Sequence, residues 1–110
     1  MLFLGATLMP QKGEDMAQTK KTTGGFWQVG RLYMIRTVTM IVTGKLVAID
    51  DHEITLINAA WIADTGRYAQ AVESAEFAEV EPYPDIRDVA VGRGALVDAV
   101  QIPKLPRTQK

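Results

Sequence analysis

The side chains able to do chemistry in this chain are few and close together. The densest group is Asp50-Asp51-His52-Glu53, three carboxylates and an imidazole that could hold a hard cation. A polar run between two apolar runs is also what a hairpin turn requires, and that is the simpler reading. Asp98 with Arg93 forms a second charged pair, but no nucleophile accompanies it. His52 is the only histidine, so it cannot build a multi-histidine metal site alone, and with no neighbouring pair to suggest a relay it reads as a loop histidine rather than a catalytic one. The absence of cysteine removes disulfides, thiol chemistry and cysteine-bound zinc, and fits a reducing compartment. No nucleophile, base and orienting group can be assembled. The chain therefore reads as non-enzymatic, with no cofactor and no resident metal.

Composition sets the frame for these residues. At 110 residues there is room for one domain and one core. Hydrophobic residues make up 47% and charged residues 23%, the balance of an ordinary globule. A formal net charge of -1 gives no general attraction for nucleic acid, so RNA contact would need a local basic patch. No stretch approaches the roughly 20 apolar residues that span a bilayer, and no membrane association is expected. Met1-Leu2-Phe3-Leu4-Gly5-Ala6 begins like a secretion signal but has no basic leader, and Pro10-Gln11-Lys12 cuts it short. Met16 followed by Ala17-Gln18-Thr19-Lys20-Lys21 reads as a protein start, which would make residues 1–15 an upstream extension.

The elements that must position the polar cluster are mostly strands. Residues 1–25 lack periodicity, end in Thr22-Thr23-Gly24-Gly25, and read as a flexible arm. Phe26 and Trp27 open the ordered part as a cap on the core. Residues 32–42 are rich in Ile, Val, Thr and Tyr and read as one strand, broken at Thr43-Gly44. Residues 45–49 and 54–58 form two further strands joined by the polar turn. Tyr68, Ala71, Val72 and Ala75 then fall at helical spacing, which predicts a short helix near 65–76 capped by Asp64 or Thr65. Alternation resumes over 77–81 until Pro82 and Pro84 interrupt it. Six acids (Glu73, Glu76, Glu79, Glu81, Asp85, Asp88) face one base, Arg87, in this region, which argues against a nucleic-acid groove there. Val89-Ala90-Val91 and residues 95–102 are the last strands, separated by Gly92-Arg93-Gly94. Residues 103–110 form an extended basic tail containing two prolines, unable to order itself. The expected core is Val38, Met40, Leu46, Ile49, Ile54, Leu56, Leu96 and Val100.

Two segments in this order resemble the Sm/Lsm superfamily. Gly44-Lys45-Leu46-Val47-Ala48-Ile49-Asp50-Asp51-His52-Glu53-Ile54-Thr55-Leu56-Ile57-Asn58 is similar to the first Sm motif, with spacing closer to the Hfq branch. Val91-Gly92-Arg93-Gly94-Ala95-Leu96-Val97 resembles the second motif. The resemblance implies a mainly β fold, a strongly bent five-stranded antiparallel barrel, here over residues 26–102 with a helical insertion at about 60–80. It also implies a homo-oligomeric ring of about five to seven copies, joined by strand edges. Val89, Val91, Gly92 and Gly94 would lie at that junction, with Trp61 and Tyr68 as further interface residues. Glycine at 44, 92 and 94 would permit the bends.

Departures from the family pattern bear on function. The asparagine with which eukaryotic Sm proteins read a base has no counterpart in the Asp51-His52-Glu53 turn. His52 could stack a base, Arg93 stands in the basic place, and Asn58 completes the candidate RNA-binding set. Against RNA, Asp50, Asp51 and Glu53 repel phosphate. With its enlarged acidic connection and Pro-containing tail, the chain looks like Sm-like proteins of tailed phages. That likeness implies a virion structural or assembly component, in the virion or host cytoplasm, with other phage proteins as partners. An RNA-binding Hfq/Lsm-like ring is the alternative.

Overall fold

A computed structural model describes residues 25–110. Apart from Gly25, the expected arm at 1–25 and the start at Met16 lie outside the described residues. Six strands, one short helix and one 3-10 turn follow in the order β1 (Leu32–Thr37), β2 (Ile41–Ile49), β3 (Glu53–Asp64), α1 (Tyr68–Ser74), β4 (Glu79–Pro82), β5 (Val89–Gly92), the 3-10 turn (Arg93–Ala95) and β6 (Leu96–Gln101). All pair antiparallel in one sheet of order β4-β3-β2-β1-β6, with β5 also on β3. The fold is mainly β, as expected. It has six strands rather than five, because the 77–81 alternation becomes a strand of its own.

The first strands are divided differently from the sequence reading. Residues 32–42 are not one strand but the two arms of a hairpin that turns at Val38-Thr39. The hydroxyl of Thr37 closes that turn, accepting from the N–H of Met40 at 3.1 Å and donating to its carbonyl at 3.0 Å. Val38 is consequently 72% exposed and Met40 lies in the turn, so neither belongs to the core. Past the turn, β2 runs straight through Gly44, where the register with β3 shifts as a bulge. A Cβ on Gly44 would stand 2.7 Å from Cβ of Leu56, so glycine lets the two backbones approach there. Gly92 and Gly94 are different. Added Cβ atoms would meet nothing, and neither has positive φ, so no bend within this chain demands glycine at either position.

Both faces of the sheet are covered, by separate clusters. Tyr33, Ile35, Val42, Leu46, Ile54, Leu56, Ala59 and Val91 build the first, with Trp27, Ile49 and Leu96 at its edge. Alternation along β1 puts Met34 on the other face, with Ala60, Ile62, Ala71, Ala75, Phe77, Val80 and Ile102. Helix α1 supplies Ala71 to that second cluster, with Val72 packed against it, and Ala75, the left-handed residue that ends the helix, joins it; Tyr68 of the apolar stripe stays exposed. Neither expected cap is used. Asp64 accepts from Gly66 N–H at 2.9 Å, Thr65 donates to the Gly66 carbonyl, and Arg67 takes the N-cap position without a side-chain bond. The aromatic cap is present as a trio: Phe26 and Trp27 pack at tilted angles against Tyr33, whose hydroxyl donates to the Phe26 carbonyl and accepts from Gln28 N–H, both at 2.7 Å.

The tail folds back instead of hanging free. Leu105 packs against the second cluster, and Lys110 and Val80 exchange backbone hydrogen bonds at 3.0 and 3.1 Å. Arg107 donates to the carbonyls of Ala59 (2.7 Å) and Tyr83 (2.8 Å) and pairs with Asp85 (2.6 Å). Lys104 pairs with Glu76, and Gln109 donates to Glu81. The reading of a self-disordered tail overlooked that the acidic connection supplies its counter-charges within the same chain.

Two substitutions test this packing. Gly44→Ala is expected to destabilise by about 1–3 kcal/mol, because the clashing atom is a Cβ near the backbone that cannot swing away. Thr43 is fully buried and its hydroxyl has no hydrogen-bond partner among the described residues. Thr43→Val, of the same shape, should therefore leave stability unchanged or raise it. Urea titration reads both as shifts of the midpoint, and a less stable Thr43→Val would show that the hydroxyl is satisfied.

Candidate functional site

The polar turn and the 3-10 turn meet at one end of the sheet. Because β5 pairs with the first residues of β3 (Glu53 opposite Gly92), the chain leaving β5 arrives beside the 50–53 turn. Arg93 N–H donates to the His52 carbonyl at 2.9 Å, and the Arg93 guanidinium donates to the Asp50 carbonyl at 2.8 Å. His52 and Arg93, separated by forty residues of chain, are thus brought together.

Asp50 organises its own turn. One carboxylate oxygen accepts from the N–H groups of His52 (2.7 Å) and Glu53 (2.9 Å). Those bonds, His52's first, hold the Asp50 carboxyl below the usual carboxylate range, with a smaller contribution from the Arg93 charge. The carboxylates do not converge: among the described residues no three ligating side chains come within reach of one metal ion. The turn presents an exposed imidazole and three exposed carboxylates, beside a guanidinium already engaged by the Asp50 carbonyl.

Asn58 does not join this pair. It lies further along β3 in the left-handed region (φ 53°), and its side-chain oxygen accepts from Ile86 N–H at 3.1 Å. Trp61 is 44% exposed and lies on the same side of the sheet as its cross-strand partner Val42. Tyr68 is half-exposed, its ring 5.2 Å above the guanidinium of Arg36, which forms a two-pronged pair with Asp98 across β1 and β6. Asp98 therefore partners Arg36, not Arg93. Val91 is buried, Val89 packs at the edge of the first cluster, and Gly92 and Gly94 are exposed.

Sequence reasoning missed three residues that shape this region. Arg107 gave no signal because its carbonyl partners lie in distant segments. Ile86 sits at the third position of the Pro84–Arg87 turn with φ 55°, 80% exposed. Only the Pro84-Asp85 start hinted at a turn there. Arg36 interrupted an apolar face, a hint that it belongs to the surface. Among the described residues no helix is long and apolar enough to cross a membrane. Because Asp50's folded pKa is lowered, its contribution to the turn is complete above the ordinary carboxylate range and is lost as pH falls through the lowered value. Protection of the His52 and Glu53 amides from hydrogen exchange should follow that loss, and Asp50→Asn, which still accepts hydrogen bonds, should make protection independent of acid pH. Comparisons with protein families, with curated proteins and with solved structures find no match for this chain.

Proposed function

We propose that this chain is a non-enzymatic, Sm-like subunit that closes into a homo-oligomeric ring and serves as a structural or assembly component of a phage particle. The observation that supports this reading is the pairing of the two late strands. β5 pairs only with β3 and β6 only with β1 among the described residues, so each has a bare edge, at opposite ends of the path β5-β3-β2-β1-β6. A bare strand edge is a template for another strand. Two of them on one chain make a head-to-tail contact that repeats, and a ring is the closed form of that contact. The β4 edge, by contrast, is covered by the chain's own tail at Val80 and Lys110.

RNA binding is the second reading, and the approach of Arg93 to His52 is what favours it. It is the weaker one. The Arg93 guanidinium is engaged by the Asp50 carbonyl, and Asp50, Asp51 and Glu53 surround the turn with negative charge. Native mass spectrometry at micromolar concentration should give one closed species, a ring of about five to seven copies; a clean monomer refutes the proposal. Oligo-U and oligo-A should bind weakly at two salt concentrations. Submicromolar, salt-dependent binding that Arg93→Ala abolishes would transfer the function to RNA.

A further inference from the structure

Ile86 is the residue whose conformation and exposure are hardest to account for within one chain. Left-handed φ is tolerated by Gly and Asn but crowds a β-branched side chain. The Asn58 side chain nevertheless fixes the Ile86 N–H, and Arg107 fixes the adjacent Asp85, so the turn is held in place from two sides. The result is an isoleucine side chain delivered almost wholly to solvent just ahead of β5's bare edge. Strain of this kind persists where the surroundings over-determine it and a contact elsewhere uses it.

The opposite end of the sheet carries a matching surface. At the C-terminal end of β6, the Gln101 side chain donates to the Phe26 carbonyl and accepts from the Arg31 guanidinium, both at 3.4 Å. Phe26 and Val29 are exposed apolar residues there, and Arg31 is an exposed cation beside them. Every strand pair in the sheet is antiparallel. If the same pairing joins β5 of one copy to β6 of the next, residues 86–88 fall beside the Gln101 end of the neighbour. Acidic Asp88, two residues after Ile86, then faces basic Arg31.

We propose that the 84–88 turn is a docking knob for a second copy of this chain, with Ile86 seated against Phe26 and Val29 of the neighbour and Asp88 directed at its Arg31. This rests on the ring reading above and names the side chains that set its register. A bare-edge contact alone has no such register, since backbone pairing is indifferent to a two-residue slip. The apolar knob and the charge pair supply one.

The full chain and four variants, Ile86→Gly, Asp88→Arg, Arg31→Asp and the Asp88→Arg/Arg31→Asp double, are compared by native mass spectrometry over a dilution series, with circular-dichroism melts of each. Ile86→Gly removes the side chain and relieves the left-handed strain, so the unassembled chain should melt no lower than wild type. Its assembly midpoint should nonetheless move to about tenfold higher concentration. Each charge reversal should weaken assembly, and the double reversal should restore it. Rings that assemble at the wild-type midpoint in both Ile86→Gly and Asp88→Arg overturn the knob and leave the ring reading standing. A monomeric wild type overturns both.

Discussion

The left-handed backbone at Asn58 is the constraint on which most of this architecture depends. A regular strand offers each of its two sides to one neighbour. By breaking the run of β3 with a single αL residue, the chain lets one side serve two partners, β5 along Glu53–Leu56 and β4 along Ala60–Asp64. Asparagine suits the position because its short amide tolerates positive φ and can bond locally. Its oxygen holds Ile86, and the next carbonyl, of Ala59, accepts from both Tyr83 N–H and Arg107. The β4–β5 connection and the C-terminal tail are thus anchored at the same bulge.

Edges explain how the rest of the surface is arranged. β4 carries Glu79 and Glu81, and the tail laid beside it brings Lys104, Arg107 and Lys110 to Glu76 and Asp85. These pairs are mostly exposed and individually worth little. Arg107 is the exception, since it satisfies two carbonyls as well as a charge. Acidic connection and basic tail, which as sequence look like surfaces for partners, largely answer each other within the chain. What remains uncovered among the described strands is the edge of β5 and the edge of β6, flanked by Ile86 on one side and by Phe26 and Val29 on the other. The bare backbone at these two places, with exposed apolar side chains beside it, is why the functional proposal is one of self-assembly.

The strands at 54–58, 89–91 and 95–102 were legible from their apolar patterns and the turn residues between them, and so was an irregularity at Gly44, although β2 continues through that glycine instead of breaking there. The hairpin at Val38-Thr39 was not. Its turn contains no Gly, Asn or Pro and is closed by a hydroxyl, a signal that β-branched strand residues also give. Nor was the second half of β3 legible. Ala59 and Ala60 are consecutive and both fully buried, because one faces each core cluster, and a strand covered on both sides loses the alternation by which strands are read.

Local pattern, then, determined that this chain is mainly β, that it contains one short amphipathic helix, and that the 50–53 cluster is a turn; these follow from periodicity and backbone propensity within a few residues. The meeting of His52 with Arg93, the assignment of Asp98 to Arg36 and of Arg107 to the Asn58 bulge, and the exposure of Ile86 beside a bare edge were decided only in three dimensions. The contacts behind them join residues 28 to 62 positions apart, and such relations are fixed by which strand lies beside which and by the close approach that Gly44 allows. No local rule of charge or hydropathy contains that information.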